Sequence, residues 1–273
     1  MKRILRALLG TFMLTSTPTW AAINQIDSFE QITSLLHTLE PSSLVVFDVD
    51  AVLIEHEDAI LQPPNKPLLQ SLIAKHANTL APDHFEDLVS VIYLETKAPL
   101  IEESVVPLIA TLQEKNIPVI GLTATRIGKI GRVDSIQDWR IQALDAHGIS
   151  FTKFPSKNLT TVTGQGPSPV FKEGIAFSST YPKGKVLQAV LESLDMIPET
   201  VVFIDDLYQN SVSVESHMKQ LGVKQVHCFQ YVGAKKVYKQ ANSELAQTQI
   251  RHLVTHKTWL SEEKAQEMIN SIQ

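Results

Sequence analysis

Cysteine is almost absent from this chain: there is one, Cys228, in 273 residues. A lone cysteine closes no disulfide within its own chain. Its setting, VKQVHCFQY, reads as a buried strand in which the thiol packs as a small apolar group. Basic excess is absent as well. A formal charge of −5 and a pI near 6.0 exclude the basic face by which nucleic-acid-binding proteins hold phosphate backbones, and the lysines of Ala234–Lys236 are ordinary solvated surface. Beyond the first residues no run is long and apolar enough to span a bilayer. There is no internal repeat and no low-complexity segment. The KGK at Lys183 lacks the upstream glycine of a phosphate-binding P-loop, and the GQG at Gly164–Gly166 lacks the strand-to-helix context of a nucleotide loop. His252 and His256 have metal-ligand spacing on a predicted helix, but no H-E-x-x-H pattern accompanies them, so they read as surface or packing residues.

What is present is a chain with 44% hydrophobic and 19% charged residues. That suffices for one large domain, or a domain with an inserted cap. The first residues resemble an export signal: Lys2, Arg3 and Arg6 give a positive start, ALLGTFMLT a short apolar core, and TPTWAA small residues for cleavage after Ala21 or Ala22. The alternatives are a buried first helix or an uncleaved anchor. Cleavage leaves a mature chain with no stable membrane insertion, periplasmic or secreted, and no cysteine in the segment offers a lipid attachment site.

Downstream, apolar runs alternate with helical periodicity. SFEQITSLLHTL (Ser28–Leu39) is a predicted helix with Ser28 and Gln31 spaced as a capping box. LVVFDV (Leu44–Val49) is apolar on both faces, as a fully buried strand requires. Residues 55–98 are helical in pattern and broken by QPPNKP. A further helix, IEESVVPLIATLQEKN, leads into the buried strand IPVIGLTAT, and IQDWRIQALDAHGI is a helix ending at Gly148. Residues 150–180 read as a strand or two with loops. A helix from Lys183, the strand TVVFIDD, a helix from Gln209, the strand KQVHCFQY and a helical remainder with Ser261 as an N-cap complete the chain. Continuously apolar strands alternating with helices define an α/β protein with a doubly wound, Rossmann-like parallel sheet.

Three of these strands end in polar chemistry: the first in Asp48 and Asp50, the second in Thr123, Thr125 and Arg126, the third in Asp205 and Asp206. Ligands bind outside the carboxyl ends of parallel strands, so neighbouring strands would bring these groups together. Converging carboxylates need a counter-charge. Oxygen donors at about 2 Å suit Mg2+, which commonly takes one or two carboxylates and a substrate phosphate, and Lys183 at a helix start would add positive charge.

The pattern resembles the haloacid dehalogenase-like (HAD) hydrolases. VVFDVDAVL is similar to their D-x-D-x-[TV] motif I, VIGLTATR to motif II, KGKVL to motif III and VVFIDDLYQN to motif IV, in the family's order between Leu44 and Tyr231. The resemblance implies a HAD-type core with a small, mainly helical cap inserted after the first strand. Its expected layout is a signal peptide at 1–22, the start of the core at 23–54, the cap at 55–100, and the rest of the core with the C-terminal helices at 101–273. It implies an exported Mg2+-dependent phosphatase acting on a small phosphorylated substrate. Asp48 would be the nucleophile and a metal ligand. Asp50 would be general acid then base, with its backbone carbonyl on the metal. Thr123 would bind a phosphoryl oxygen, Lys183 would neutralise nucleophile and phosphate, Asp205 would bind the metal, and Asp206 would bind it or orient a bound water. Lys185 competes with Lys183 for the motif III role. Asp50 favours phosphatase over dehalogenase chemistry.

Ala51 stands where Gly or Asp is common, and Val52 where Thr is common. The finer likeness is to a secreted Gram-negative branch of the superfamily, with exported class B acid phosphatases a looser one. A catalytically silent exported binding or host-interaction protein, and a phosphotransferase, are the alternative functions. Arg126 could bind an anion or form a structural ion pair. Glu55 and His56 could line the cap entrance or be solvated. Asn210 could buttress the motif IV loop or cap a helix.

Overall fold

The structure is a computed structural model that describes residues 23–76 and 82–271. The expected export signal, at 1–22, lies outside the described residues. In chain order the elements are β1 (Asn24–Ile26), α1 (Thr33–His37), β2 (Ser43–Phe47), α2 (Lys66–His76), α3 (Pro82–Glu95), α4 (Val105–Glu114), β3 (Val119–Thr123) and α5 (Ile136–Asp145). They continue with β4 (Lys157–Asn158), β5 (Val170–Lys172), β6 (Ile175–Phe177), α6 (Lys183–Ser193), β7 (Thr200–Asp205), α7 (Tyr208–Leu221), β8 (Gln225–Tyr231), α8 (Ser243–His256) and α9 (Glu262–Asn270).

The strands form one sheet in the order β1-β8-β7-β2-β3-β6-β5-β4. Pairing is parallel from β1 through β6, and the β6-β5-β4 edge is antiparallel. The expected doubly wound α/β architecture is the one observed. Alternation within the strands supplies two cores. Val45 and Phe47 of β2, Val119 of β3, and Val202 and Ile204 of β7 face a core completed by Phe29, Leu36, Ile109 and Leu144. Leu44 and Val46, Ile120 and Leu122, and Val201 and Phe203 face the opposite core, filled by Leu187, Val190 and Leu191 of α6 and by Val214 and Met218 of α7. Both faces are covered, which is why no polar alternation is visible in these strands.

Local signals hold at several ends. Ser28 and Gln31 form the capping box, here on a 3-10 turn, and Ser261 caps α9 by accepting the Lys264 N–H. Helix α5 stops earlier than its periodicity suggests, at Asp145, and Gly148 takes a left-handed φ of 78° beyond it. Residues 150–180 hold three short strands, β4 to β6, rather than one or two. The edge strand β1 is unannounced in the sequence, being three residues long.

The inserted segment joins the core through a two-stranded neck. The Glu55 N–H donates to the Pro99 carbonyl, the Glu57 N–H to Lys97 and the Ile101 N–H to Leu53. Its helices α2 and α3 share a hydrophobic cluster with the far end of the chain: Ile60, Leu72, Leu88 and Val91 pack with Ala246, Ile250, Leu253 and Trp259. Helix α8 therefore covers the inserted helices and not the sheet. Buried polar groups stitch the same junction. The carboxylate of Asp58 accepts from Gln249 Nε2, Trp259 Nε1 and the Glu262 N–H, at 3.1, 2.8 and 2.7 Å. Asn65 donates to the Ala59 and Lys239 carbonyls and accepts the Ala241 N–H.

Asp58→Ala would leave three donors without their acceptor in a buried setting. We expect it to destabilise the protein by about 3 kcal/mol or more. Urea unfolding measures this, and hydrogen exchange should show α3 and α8 losing protection together.

Candidate active site

Strands β7, β2 and β3 are neighbours, so their carboxyl ends meet. After β2, the Asp48 N–H still follows the ladder, donating to the Ile204 carbonyl. The chain then folds into a tight loop in which the Leu53 and Ile54 N–H groups return to the Val49 carbonyl. Ala51 has φ 62°. That left-handed conformation favours glycine.

Asp48, Asp205 and Lys183 make the floor. The Lys183 ammonium lies 2.6 Å from Asp48 Oδ1 and 2.7 Å from Asp205 Oδ2, and all three side chains are buried. Asp48 Oδ1 also accepts the Val49 N–H, while its Oδ2 has no hydrogen bond among the described residues. Asp205 Oδ1 accepts the Leu207 N–H and Asn210 Nδ2, so Asn210 buttresses this loop. Lys183 opens α6, and Gly184 beside it lets that turn press against α7: a Cβ there would come within 2.2 Å of the Ser213 carbonyl oxygen. Lys185 points away, to the Thr163 carbonyl. Asp206 completes the group. One oxygen each from Asp48, Asp205 and Asp206 lie within 4.8 Å of one another.

The electrostatics follow from burial. Burial opposes the Lys183 charge, but Asp48 and Asp205 outweigh it and hold the ammonium above its ordinary value. Burial drives the Asp48 carboxyl well above the usual range despite Lys183, with Asp205 and Asp206 adding to the rise. Burial, then Asp205, pushes Asp206 up to about 6. Three carboxylates thus face one ammonium. The donor set is oxygen only and short of positive charge, which fits a hard divalent cation.

Asp50 stands outside that trio. Its Oδ1 accepts from Arg140 at 2.8 Å and its Oδ2 from the Thr123 hydroxyl at 3.3 Å. Thr123 is itself fully buried and hydrogen-bonded to Thr125, and it is Thr125 that reaches the cavity wall. Arg140 was not evident from the motifs. It had a signal: Ile136, Arg140 and Leu144 form one buried stripe of α5, and an arginine in an apolar stripe needs a partner.

Above the floor lies a cavity of about 420 Å³, lined by Asp48, Asp50, Lys183, Asp206 and Asn210 below and by Glu55, His56, Lys66, Tyr93 and Trp139 around. Arg126 lies exposed on the same wall. Glu55 and His56 are therefore on the cavity and not on open surface. Burial lowers the pKa of His56 and raises that of Glu55 to about 7. The remaining candidates lie elsewhere. The His252 and His256 rings lie 4.5 Å apart, tilted by 38°, near the end of α8, Gly164 and Gly166 pack at Tyr181, and the Cys228 thiol is pushed up to about 12 by burial.

The fold and this edge define a doubly wound α/β protein with an acidic, lysine-braced pocket at the carboxyl ends of its strands. Residues 25–266 match the family described as "Protein of unknown function (DUF2608)", and the chain belongs to it. No curated protein matches the sequence. Among solved structures it is similar to a HAD family hydrolase from Deinococcus radiodurans R1 with bound phosphate and sodium, at 14% identity and a TM-score of 0.33, covering 68% of this chain and 91% of that one. Among the described residues no helix is long and apolar enough to cross a membrane.

Glu55 gives a pH dependence with a defined sign. Its folded carboxyl keeps its proton up to about 7, whereas an unfolded glutamate loses it near about 4.3. Between these values the folded state binds more protons, so stability falls as pH rises through the window and is level beyond it. Glu55→Gln should remove that slope. Denaturation of both proteins at pH 5 and pH 8 should show a difference of roughly 2–3 kcal/mol in their pH response.

Proposed function

We propose that the chain is an exported, Mg2+-dependent phosphatase that hydrolyses a phosphomonoester through an aspartyl-phosphate. The observation that carries this reading is the buried Asp48–Lys183–Asp205 bridge beneath an open cavity. It holds a carboxylate with one oxygen restrained and one oxygen unbonded, which is what a positioned nucleophile requires.

Asp48 Oδ2 attacks phosphorus and the ester P–O bond breaks. Lys183 offsets negative charge shared by the nucleophile and the phosphoryl oxygens. Asp50, in its acid form, gives its proton to the departing alkoxide. As a carboxylate it then takes a proton from the water that attacks phosphorus, releasing phosphate and restoring Asp48. Arg140 and Thr123 hold Asp50 at the cavity edge, one on each oxygen. Asp48, Asp205 and Asp206 would hold the metal with the Asp50 carbonyl, and bound Mg2+ would neutralise the carboxylates and the phosphoryl group. Positioning and neutralisation of this kind supply most of what phosphoryl transfer needs.

The test is phosphate release from an aryl phosphate by the mature chain, with and without Mg2+, beside Asp48→Asn. Metal-dependent turnover that falls at least roughly a thousandfold in the variant is expected. Turnover that survives in Asp48→Asn removes the nucleophile assignment, and a folded wild type that neither turns over nor binds Mg2+ points to a silent binding protein.

A further inference from the structure

Two cations on the cavity wall take no part in the phosphoryl-transfer steps. Lys66 opens α2 in the insertion, and Arg126 follows β3 in the core; both line the cavity above Asp48 and Lys183. Both are exposed. Neither the Lys66 ammonium nor the Arg126 guanidinium has a hydrogen bond or an ion pair among the described residues. They act on their neighbours through charge alone, Lys66 on Glu55 and Asp206, and Arg126 on Tyr93.

The acids nearby are already engaged. Asp50 is held by Arg140 and Thr123. Glu55 is bonded by the His56 N–H and the Tyr238 phenol, and it keeps its proton up to about 7. Asp206 belongs to the acidic cluster on the floor. The wall therefore carries positive charge on which no side chain of the protein closes. The place of Lys66 is unusual in a second way. A cation is disfavoured at the start of a helix, where the dipole is positive, and α2 has no acidic residue in its first turn to offset it. An ammonium kept there against the dipole, on a cavity wall, is in place for an anion that comes from outside.

We propose that Lys66 and Arg126 form a leaving-group subsite for anionic oxygen: the phosphomonoester taken by this site carries a second anionic group, a carboxylate or a further phosphoryl group, on its alcohol. The inference rests on the phosphatase reading above. Lys183 and the acidic cluster on the floor serve the reacting phosphoryl group. The wall cations come from other elements, one from the insertion and one from the core, so an anion held by both would join the two. A guanidinium offers paired N–H donors that match carboxylate or phosphate oxygens, and an ammonium adds a compact charge. Hydrogen bonds to charged groups are worth more than neutral ones, so a neutral group of the same shape is the weaker ligand.

The experiment compares kcat/KM for 4-(phosphonooxy)butanoate, butane-1,4-diyl bisphosphate and the neutral 4-(phosphonooxy)butanamide, using the full mature chain with Mg2+. At least one of the two anionic esters should exceed the amide by roughly fivefold or more, and the larger ratio tells carboxylate from phosphoryl. Added salt should lower the ratio, since exposed charges are screened. In Lys66→Gln and in Arg126→Gln the ratio should fall, and in the double variant it should approach one. Lys66→Arg, which keeps the charge, should retain most of it. Lys264→Gln removes an exposed lysine of α9 that does not line the cavity; it should leave the ratio unchanged, which separates a local subsite from the net charge of the protein. A ratio measured within one preparation is unaffected by the fraction of folded protein. Equal turnover of all three esters by the wild type overturns the subsite alone. So does the same ratio in wild type and double variant, which would put the two cations on the reacting phosphoryl group. No turnover of any ester overturns the phosphatase reading and the subsite with it.

Discussion

The structure depends on one buried ammonium. Lys183 sits between Asp48 and Asp205, and removing it would leave two buried carboxylates with no counter-charge in the protein interior. Charges taken out of water are held only by close partners and further hydrogen bonds. Those bonds are present: the Val49 N–H on Asp48, and the Leu207 N–H and Asn210 on Asp205. The bridge also joins parts of the chain far apart in sequence, since it ties the end of β2 to the end of β7 through the first turn of α6. Packing and chemistry therefore share a constraint. Gly184 has no side chain because α6 must approach α7 closely enough to deliver Lys183 to that point.

Around the bridge the charge is uneven. One ammonium faces three carboxylates, and burial first, with the neighbouring carboxylates adding to it, raises the proton affinity of Asp48 and Asp206. Asp50, two residues beyond Asp48, has left this field for a separate partnership with Arg140 and Thr123. The tight loop through Ala51 makes that separation: it turns the chain so that neighbouring aspartates of one motif serve two environments.

The central sheet was legible because its strands are buried on both faces, so the apolar runs at Leu44–Phe47, Val119–Leu122 and Val201–Ile204 are uninterrupted. The polar residues at their ends were legible for the complementary reason, that a carboxylate after such a run has few structural uses. Legibility fails where a residue's partner is distant and its own surroundings look ordinary. Arg140 lies in a helix whose sequence does not name Asp50, ninety residues earlier. Asp58, Gln62 and Asn65 sit in a stretch marked only by prolines, and their partners lie near residues 237–262. The short strands β1 and β4–β6 are too brief to carry a period. The C-terminal helices follow the last strand, so chain order alone groups them with the sheet, whereas their apolar faces match those of the insertion.

That last arrangement carries a consequence in time. A polypeptide is made from its N-terminus, so Asp48 is present early, and so is the insertion that forms much of the cavity wall. The apolar face of the insertion then has no partner until residues 241–262 emerge, because Ala246, Ile250, Leu253 and Trp259 are what it packs against. Such long-range pairing is slow to form. The walls of the pocket therefore gain their packing partner only after Asp48 and both strands beside it have been made, and a chain without residues 241–262 carries the acidic cluster beside an insertion whose apolar face is bare.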